Sequence, residues 1–177
     1  MRFLRRPLAF ALSMLILLGF LFSQASAAET EKRLTILFTH DTHDHFLPMP
    51  AERGGEYGGY TRLAALLKAE RAAAQTPVVT LDAGDFSMGS LFQTIYTTDA
   101  PELRALGAMG YDVTTLGNHE FDYRSEGLAD MLNAAVDSGD PLPAIVQANC
   151  IRPESGSLTE AWNRYGIGDY MICLLYT

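Results

Sequence analysis

Short β-rich apolar runs at residues 34–39, 78–81, 113–116 and 144–148 alternate with stretches of helical periodicity, and this alternation constrains the chain more than any other feature. Within 60–74, Leu63, Leu66, Leu67 and the alanines follow helical spacing. The next helix, 99–109, opens with Asp99 three residues before Glu102 in a capping-box arrangement, carries Pro101 in its first turn and stops at Gly110. Before the fourth run, Leu128, Met131, Leu132 and Ala135 mark one helical face behind a candidate cap at Ser125. The order β-α-β-α-β-α-β predicts an α/β fold with a mostly parallel sheet, because a parallel neighbour needs a long crossover and a helix supplies it. The Gly-rich stretch 53–59 reads as a surface loop, and no repeat or internal boundary interrupts the chain after residue 27.

Sites in such sheets form beyond the carboxyl ends of the strands. The first run ends in His40-Asp41-Thr42-His43-Asp44-His45, the second in Asp82-Ala83-Gly84-Asp85, and the third in Gly117-Asn118-His119-Glu120-Phe121-Asp122. In extended chain, residues two apart point the same way, so Asp41 and His43 can share a metal while His40 faces the opposite side. Asp with His suits a borderline divalent ion such as Zn, Mn or Fe, and Asp85 adds a carboxylate able to bridge two. Glycines at 84 and 117 allow sharp turns and close backbone approach. Taken singly, each Asp or His reads equally as a cap, a turn former or a solvated side chain. Gly117-Asn118-His119-Glu120 is more specific, and all three clusters after successive strands together point to a metal site. Phe86, Met88 and Phe121 read as packing residues, Glu120 as a structural or capping group, and Asn149 as lining the site or forming a turn.

The chain begins with Arg2, Arg5 and Arg6, continues with an apolar run at 8–22, and reaches Ala25-Ser26-Ala27, the layout of a secretory signal peptide. Fifteen residues of helix reach only ~22 Å against a hydrocarbon thickness of ~30 Å, which favours a cleaved signal over a retained anchor. Residues 1–27 are therefore expected to be a signal peptide, membrane contact to be transient, and the mature protein to be secreted, periplasmic or at the cell surface. Removing those residues takes the formal charge from −8 to −11, since they hold three arginines and no acid. That acidity excludes a protein gripping a nucleic-acid backbone through a basic surface. Two cysteines, Cys150 and Cys173, do not make a disulfide framework, although one bridge stays open.

The three clusters resemble the calcineurin-like metallophosphoesterase superfamily, whose pattern runs Asp-x-His, Gly-Asp, Gly-Asn-His-Glu/Asp, then a later His and Gly-His-x-His. Within it, residues 34–122 resemble the secreted 5′-nucleotidase / UDP-sugar hydrolase branch through Thr39-His40-Asp41-Thr42-His43, Gly58-Gly59-Tyr60-Thr61-Arg62, Asp82-Ala83-Gly84-Asp85 with Gly89-Ser90, and Gly117-Asn118-His119-Glu120-Phe121-Asp122. The resemblance implies an α/β fold of the metallophosphoesterase type, a β-sandwich flanked by helices and built from β-α-β units. It implies two divalent metal ions, with Asp41 and His43 on the first, Asp85 bridging and Asn118 on the second. It makes His119 a phosphate-facing catalytic residue, not a ligand, with Asp122 orienting its ring. The implied reaction is hydrolysis of a nucleotide or nucleotide sugar by metal-activated water. The alternatives are a 2′,3′-cyclic-nucleotide phosphodiesterase or other phosphomonoesterase on the same core, or a non-catalytic secreted fragment. His45 lies outside the pattern, and Asp44 stands where the family has a small residue, adding acid close to the metals.

No histidine follows His119, so the later His and Gly-His-x-His are missing, as is the family's downstream nucleotide-binding domain. The expectation is that 28–177 is the N-terminal part of a metallophosphoesterase domain, truncated at the C-terminus, and that this part alone retains metal weakly and turns over little. The last five residues, Cys173-Leu174-Leu175-Tyr176-Thr177, can be encoded by TGT CTC TTA TAC ACA, a transposon end used in sequencing adapters. An adapter-derived end is one reading; the other is a genuine apolar strand over 170–176.

Overall fold

The computed structural model describes residues 32–152 and 154–173, so the expected signal peptide and residues 174–177 lie outside the described residues. Every described strand and helix lies within the compact unit that begins at Leu34. In order these are β1 (Thr35–Thr39), β2 (Met49–Pro50), β3 (Glu56–Tyr57), α1 (Tyr60–Ala73), β4 (Val78–Asp82), α2 (Tyr96–Asp99), α3 (Pro101–Ala108), β5 (Val113–Thr114), α4 (Arg124–Ser138), β6 (Ala144–Ile145) and α5 (Ser157–Tyr165). Single 3₁₀ turns occupy Leu91–Ile95 and His119–Phe121. No described helix is long and apolar enough to cross a membrane.

The α/β class and the helix-flanked parallel sheet are those the alternation predicts. The sheet has the order β1-β4-β5-β6, and each neighbouring pair is parallel. β1 and β4 pair over five residues, from Thr35 opposite Val78 to Thr39 opposite Asp82. Parallel register puts the ends of β1, β4 and β5 side by side, and with them the three polar clusters. The Gly-rich stretch is exposed, as expected, and contributes β3 to a small antiparallel ribbon with β2.

Packing follows periodicity. Along β1, Leu37 packs on the core while Ile36 and Phe38 on the other face stay exposed. On α4, Leu128, Met131, Leu132 and Ala135 are all buried, and each large apolar side chain so buried contributes about 1.5–3 kcal/mol. Against α4 lies α5, a helix that sequence periodicity did not mark, anchored by buried Trp162, whose Nε1–H donates to the Ile167 carbonyl at 3.1 Å. Arg71 on α1 donates to Thr80 Oγ1 on β4 (2.9 Å), to the Met109 carbonyl (2.7 Å) and to the Gly110 carbonyl (2.8 Å). One guanidinium thus ties α1 to the sheet and to the negative end of α3.

Two expected caps do not form. Ala100 takes a left-handed conformation (φ 46°) that ends α2 and starts α3, so Asp99 faces Thr98 Oγ1 (2.6 Å) and Glu102 turns inward instead of reaching back. Ser125 lies inside α4, which starts at Arg124 (φ 60°) without a side-chain cap. Residues 170–173, the described part of the alternative C-terminal strand, are not in a strand.

Glu102 is fully buried, and among the described residues neither of its carboxylate oxygens has a hydrogen-bond partner from another residue. Burial pushes its pKa from the ordinary 4.5 up to about 8, with Asp44 and Glu120 adding to the effect. The folded chain therefore binds more protons than the unfolded chain between those values, and stability falls as pH rises through that window, by at most about 1.4 kcal/mol per pH unit. Glu102→Gln removes the titration: its urea-unfolding free energy relative to wild type is expected to climb from pH 4.5 to pH 8 and then level off. An equal difference at both ends of the window would contradict this.

Candidate metal centre

Beyond β1 the chain leaves extended geometry but keeps pairing: the backbone N–H groups of Asp41, His43 and Asp44 donate to the carbonyls of Gly84, Asp85 and Phe86 at 2.8–3.0 Å. Left-handed backbone appears at Asp41 (φ 50°), His43 (φ 44°), Asp44 (φ 43°) and Asp85 (φ 50°). Non-glycine residues in that region are strained and gather at functional sites. His40 keeps the face of Phe38, whose ring lies 5.7 Å from its own, and the left-handed turn at Asp41 brings that carboxylate round so that Oδ2 contacts His40 Nδ1. Asp41 and His43 nevertheless converge as expected, with Asp41 Oδ1 3.6 Å from His43 Nε2.

Each remaining donor is held from behind. The His43 Nδ1–H donates to the Ser87 carbonyl at 3.0 Å, which leaves the Nε2 lone pair for an ion. Asp85 Oδ1 accepts the His119 backbone N–H (2.9 Å), and Asn118, with its amide oriented to satisfy both neighbours, donates to Asp85 Oδ2 (3.2 Å). Ligand atoms of His43, Asp85 and His119 lie within 4.8 Å of one another, the one such metal-capable group among the described residues. The His43 and His119 rings meet edge to face at 5.0 Å, and His119 Nδ1 contacts Asp122 Oδ2 at 2.9 Å. Imidazoles and carboxylates at this spacing form a donor set that fits a borderline divalent cation.

Glu120 organises the loops beneath these groups. Its fully buried carboxylate accepts the N–H of Asp85 (2.9 Å) and of Gly117 (2.6 Å) on Oε2, and the N–H (3.1 Å) and hydroxyl (2.7 Å) of Ser87 on Oε1. The loops meet so closely that a Cβ on Gly84 would lie 2.5 Å from the Gly117 nitrogen, and one on Gly117 would lie 2.2 Å from Asp85 Oδ1. Glycine at both positions is thus a steric requirement. Further back, Asp82 accepts from Thr39 Oγ1, Thr114 Oγ1 and the Gly84 N–H, and Gln147 Oε1 accepts from Thr115 Oγ1 and the Leu116 N–H.

The electrostatics follow the contacts. The hydrogen bond from His40 holds the Asp41 carboxyl below the usual carboxylate range, outweighing desolvation. Asp122 raises the His119 pKa. Burial raises Glu120, opposed by the bonds from Ser87, Gly117 and Asp85.

Residues 34–163 match the family model of the calcineurin-like phosphoesterases. The chain belongs to that family. It is 30% identical to the NAD 5'-nucleotidase of Haemophilus influenzae over 174 residues, covering 92% of this chain and 27% of that protein. It is 39% identical to the 5'-nucleotidase of Bos taurus over 107 residues, 56% of this chain and 18% of that one. The crystal structure of a 5'-nucleotidase precursor from Thermus thermophilus superposes with a TM-score of 0.65 at 28% identity, covering 80% of this chain and 26% of that chain. The chain thus spans between 18% and 27% of the length of these relatives.

In this member of the calcineurin-like phosphoesterase family, the residues given metal-site or catalytic roles above, namely Asp41, His43, Asp85, Asn118, His119 and Asp122, fall in one cluster at the strand ends. His119 stands among the metal-capable atoms, closer to them than its expected role outside the ligand set required. Asp44 does not add acid to the metal face: its side chain is fully buried and Oδ1 accepts the Gly89 N–H at 3.2 Å. His45 folds back toward the Thr42 carbonyl, and Asn149 pairs with Gln147. Sequence reasoning missed the bracing roles of Asp82 and Gln147. The Asp82-x-Gly84 spacing carried a local signal for the first, and nothing in the sequence marked the second. Glu120→Gln turns one acceptor into a donor facing N–H groups, and is expected to cost about 2–4 kcal/mol in urea unfolding and to weaken divalent-ion uptake measured by calorimetry. Unchanged stability would refute the bracing role of Glu120.

Proposed function

We propose that this protein is an exported two-metal phosphoester hydrolase, a 5′-nucleotidase / UDP-sugar hydrolase acting on nucleoside monophosphates or nucleotide sugars. The observation that carries the reading is the convergence of Asp41, His43, Asp85, Asn118 and His119 from three separate strand ends. The kinship with 5'-nucleotidases supports the substrate class, and the basic, apolar and small-residue layout of residues 1–27 supports export.

Asp41 and His43 would hold one ion, Asp85 would bridge, and Asn118 would hold the other. Bound there, two divalent ions supply positive charge to the phosphoryl oxygens and lower the pKa of a water nucleophile. The chain's own residues do the orienting. The Ser87 carbonyl keeps the proton of His43 on Nδ1. The His119 N–H and the Asn118 amide fix both oxygens of Asp85. Asp122 engages His119 Nδ1 and favours the imidazolium, leaving Nε2–H to donate to a phosphoryl or leaving-group oxygen where negative charge grows.

Chromatographic analysis of the products that AMP, UDP-glucose and 2′,3′-cAMP give with the protein expressed from its complete gene tests the reading. Turnover of AMP and UDP-glucose is expected, lost on chelation and restored by a divalent ion. Turnover of 2′,3′-cAMP alone would assign the cyclic phosphodiesterase, and activity surviving exhaustive chelation would overturn the mechanism. His119→Ala is expected to lower kcat by about 10²–10⁴-fold with metal content unchanged. Since Asp122 raises the His119 pKa, the protonated ring persists above its ordinary 6.5 and activity declines as pH rises through the raised value. Asp122→Asn should move that alkaline limb to lower pH.

A further inference from the structure

His40 follows β1 directly, and the left-handed turn at Asp41 brings that carboxylate against its ring. Asp41 divides its two carboxylate oxygens: Oδ2 meets His40 Nδ1, and Oδ1 points to within 3.6 Å of His43 Nε2. A carboxylate oxygen accepts and a ring N–H donates, so the hydrogen of this contact sits on His40 Nδ1. The His40 ring is also braced, its centroid 5.7 Å from that of Phe38 at 37°.

We propose that His40 is a positioning residue of the metal centre: its Nδ1–H ties down Asp41 Oδ2, so that Asp41 presents Oδ1 alone to the ion. The inference rests on the two-metal reading. A carboxylate with one oxygen engaged by a donor binds through the other and takes one coordination position. The same carboxylate released can chelate through both oxygens and take two. Asp41 is about half exposed, so packing does not hold its side chain; the bond from His40 does. Outer partners of this kind govern ligand orientation, and their loss typically weakens metal binding by 10–100-fold.

The His40 ring borders an open cavity of about 540 Å³, shared with Thr42, His45, Tyr60 and Arg62, and is itself 61% exposed, so replacing it leaves no hole in the core. Two variants of the protein expressed from its complete gene separate donor from bulk. His40→Leu keeps an apolar side chain and removes the donor, whereas His40→Asn retains an amide N–H near the position of Nδ1. Calorimetric titration with Mn²⁺ is expected to show about 10–100-fold weaker binding for His40→Leu and a value within about threefold of wild type for His40→Asn. The apo thermal midpoints of all three proteins should coincide. With Co²⁺ as probe, the visible absorption bands of His40→Leu should differ from those of wild type, and those of His40→Asn should match them. Equal Mn²⁺ affinity and identical Co²⁺ spectra for His40→Leu and wild type would overturn the proposal and leave the two-metal reading intact, as would equal losses in both variants. A wild-type protein from the complete gene that takes up neither ion would overturn both.

Discussion

The buried carboxylate of Glu120 is the interaction on which the rest of the site depends. It lies between the loop after β4 and the loop after β5 and collects four donors, two of them from Ser87 and the others from the backbones of Asp85 and Gly117. Burying a carboxylate is costly, as its raised pKa records, and only a full set of donors offsets the cost. That requirement has geometric force. The donors reach Glu120 together only if the loops touch, and they touch only because residues 84 and 117 have no side chain. Asp85, Asn118 and His119 acquire their mutual positions from this contact.

Two kinds of order meet at the site. On one side, β1 and β4 pair over their whole length, and the ladder continues past the strands through the N–H groups of Asp41, His43 and Asp44. On the other side, β5 and β6 pair over only two residues, and side chains take over from backbone pairing: Gln147 holds Thr115 and Leu116, Glu120 holds Gly117, and Asp82 reaches Thr114. The first half of the site is thus a product of sheet register, and the second half a product of a buried polar network.

What was legible in the sequence divides along the same line. Strand ends, the glycines and the ligand-type residues are local features, so the α/β class and the convergence of Asp41, His43, Asp85, Asn118, His119 and Asp122 could be read from alternation and motif. Parity put His40 on the face of Phe38 but could not foresee its contact with Asp41, because it assumed extended chain where Asp41 has a positive φ. The reading of Asp44 failed for a related reason, since the same turn sends its side chain into the protein toward Gly89. The Asp99–Glu102 capping box was lost when Ala100 broke the register between the two. Gln147, some thirty residues from the loop it braces, carried no signal, because its role exists only once β6 lies beside β5.

The left-handed backbone at Asp41, His43 and Asp85 has a consequence for how such a chain evolves. Each conformation costs an L-residue roughly 1–2 kcal/mol that glycine would avoid. Glycine at any of the three would relax the main chain and at the same stroke delete a donor atom. Stability alone therefore favours glycine at these three positions, and their side chains persist only where something other than stability requires them. A descendant of this scaffold released from that requirement would be expected to shed these positions early, and to gain foldedness as it did so.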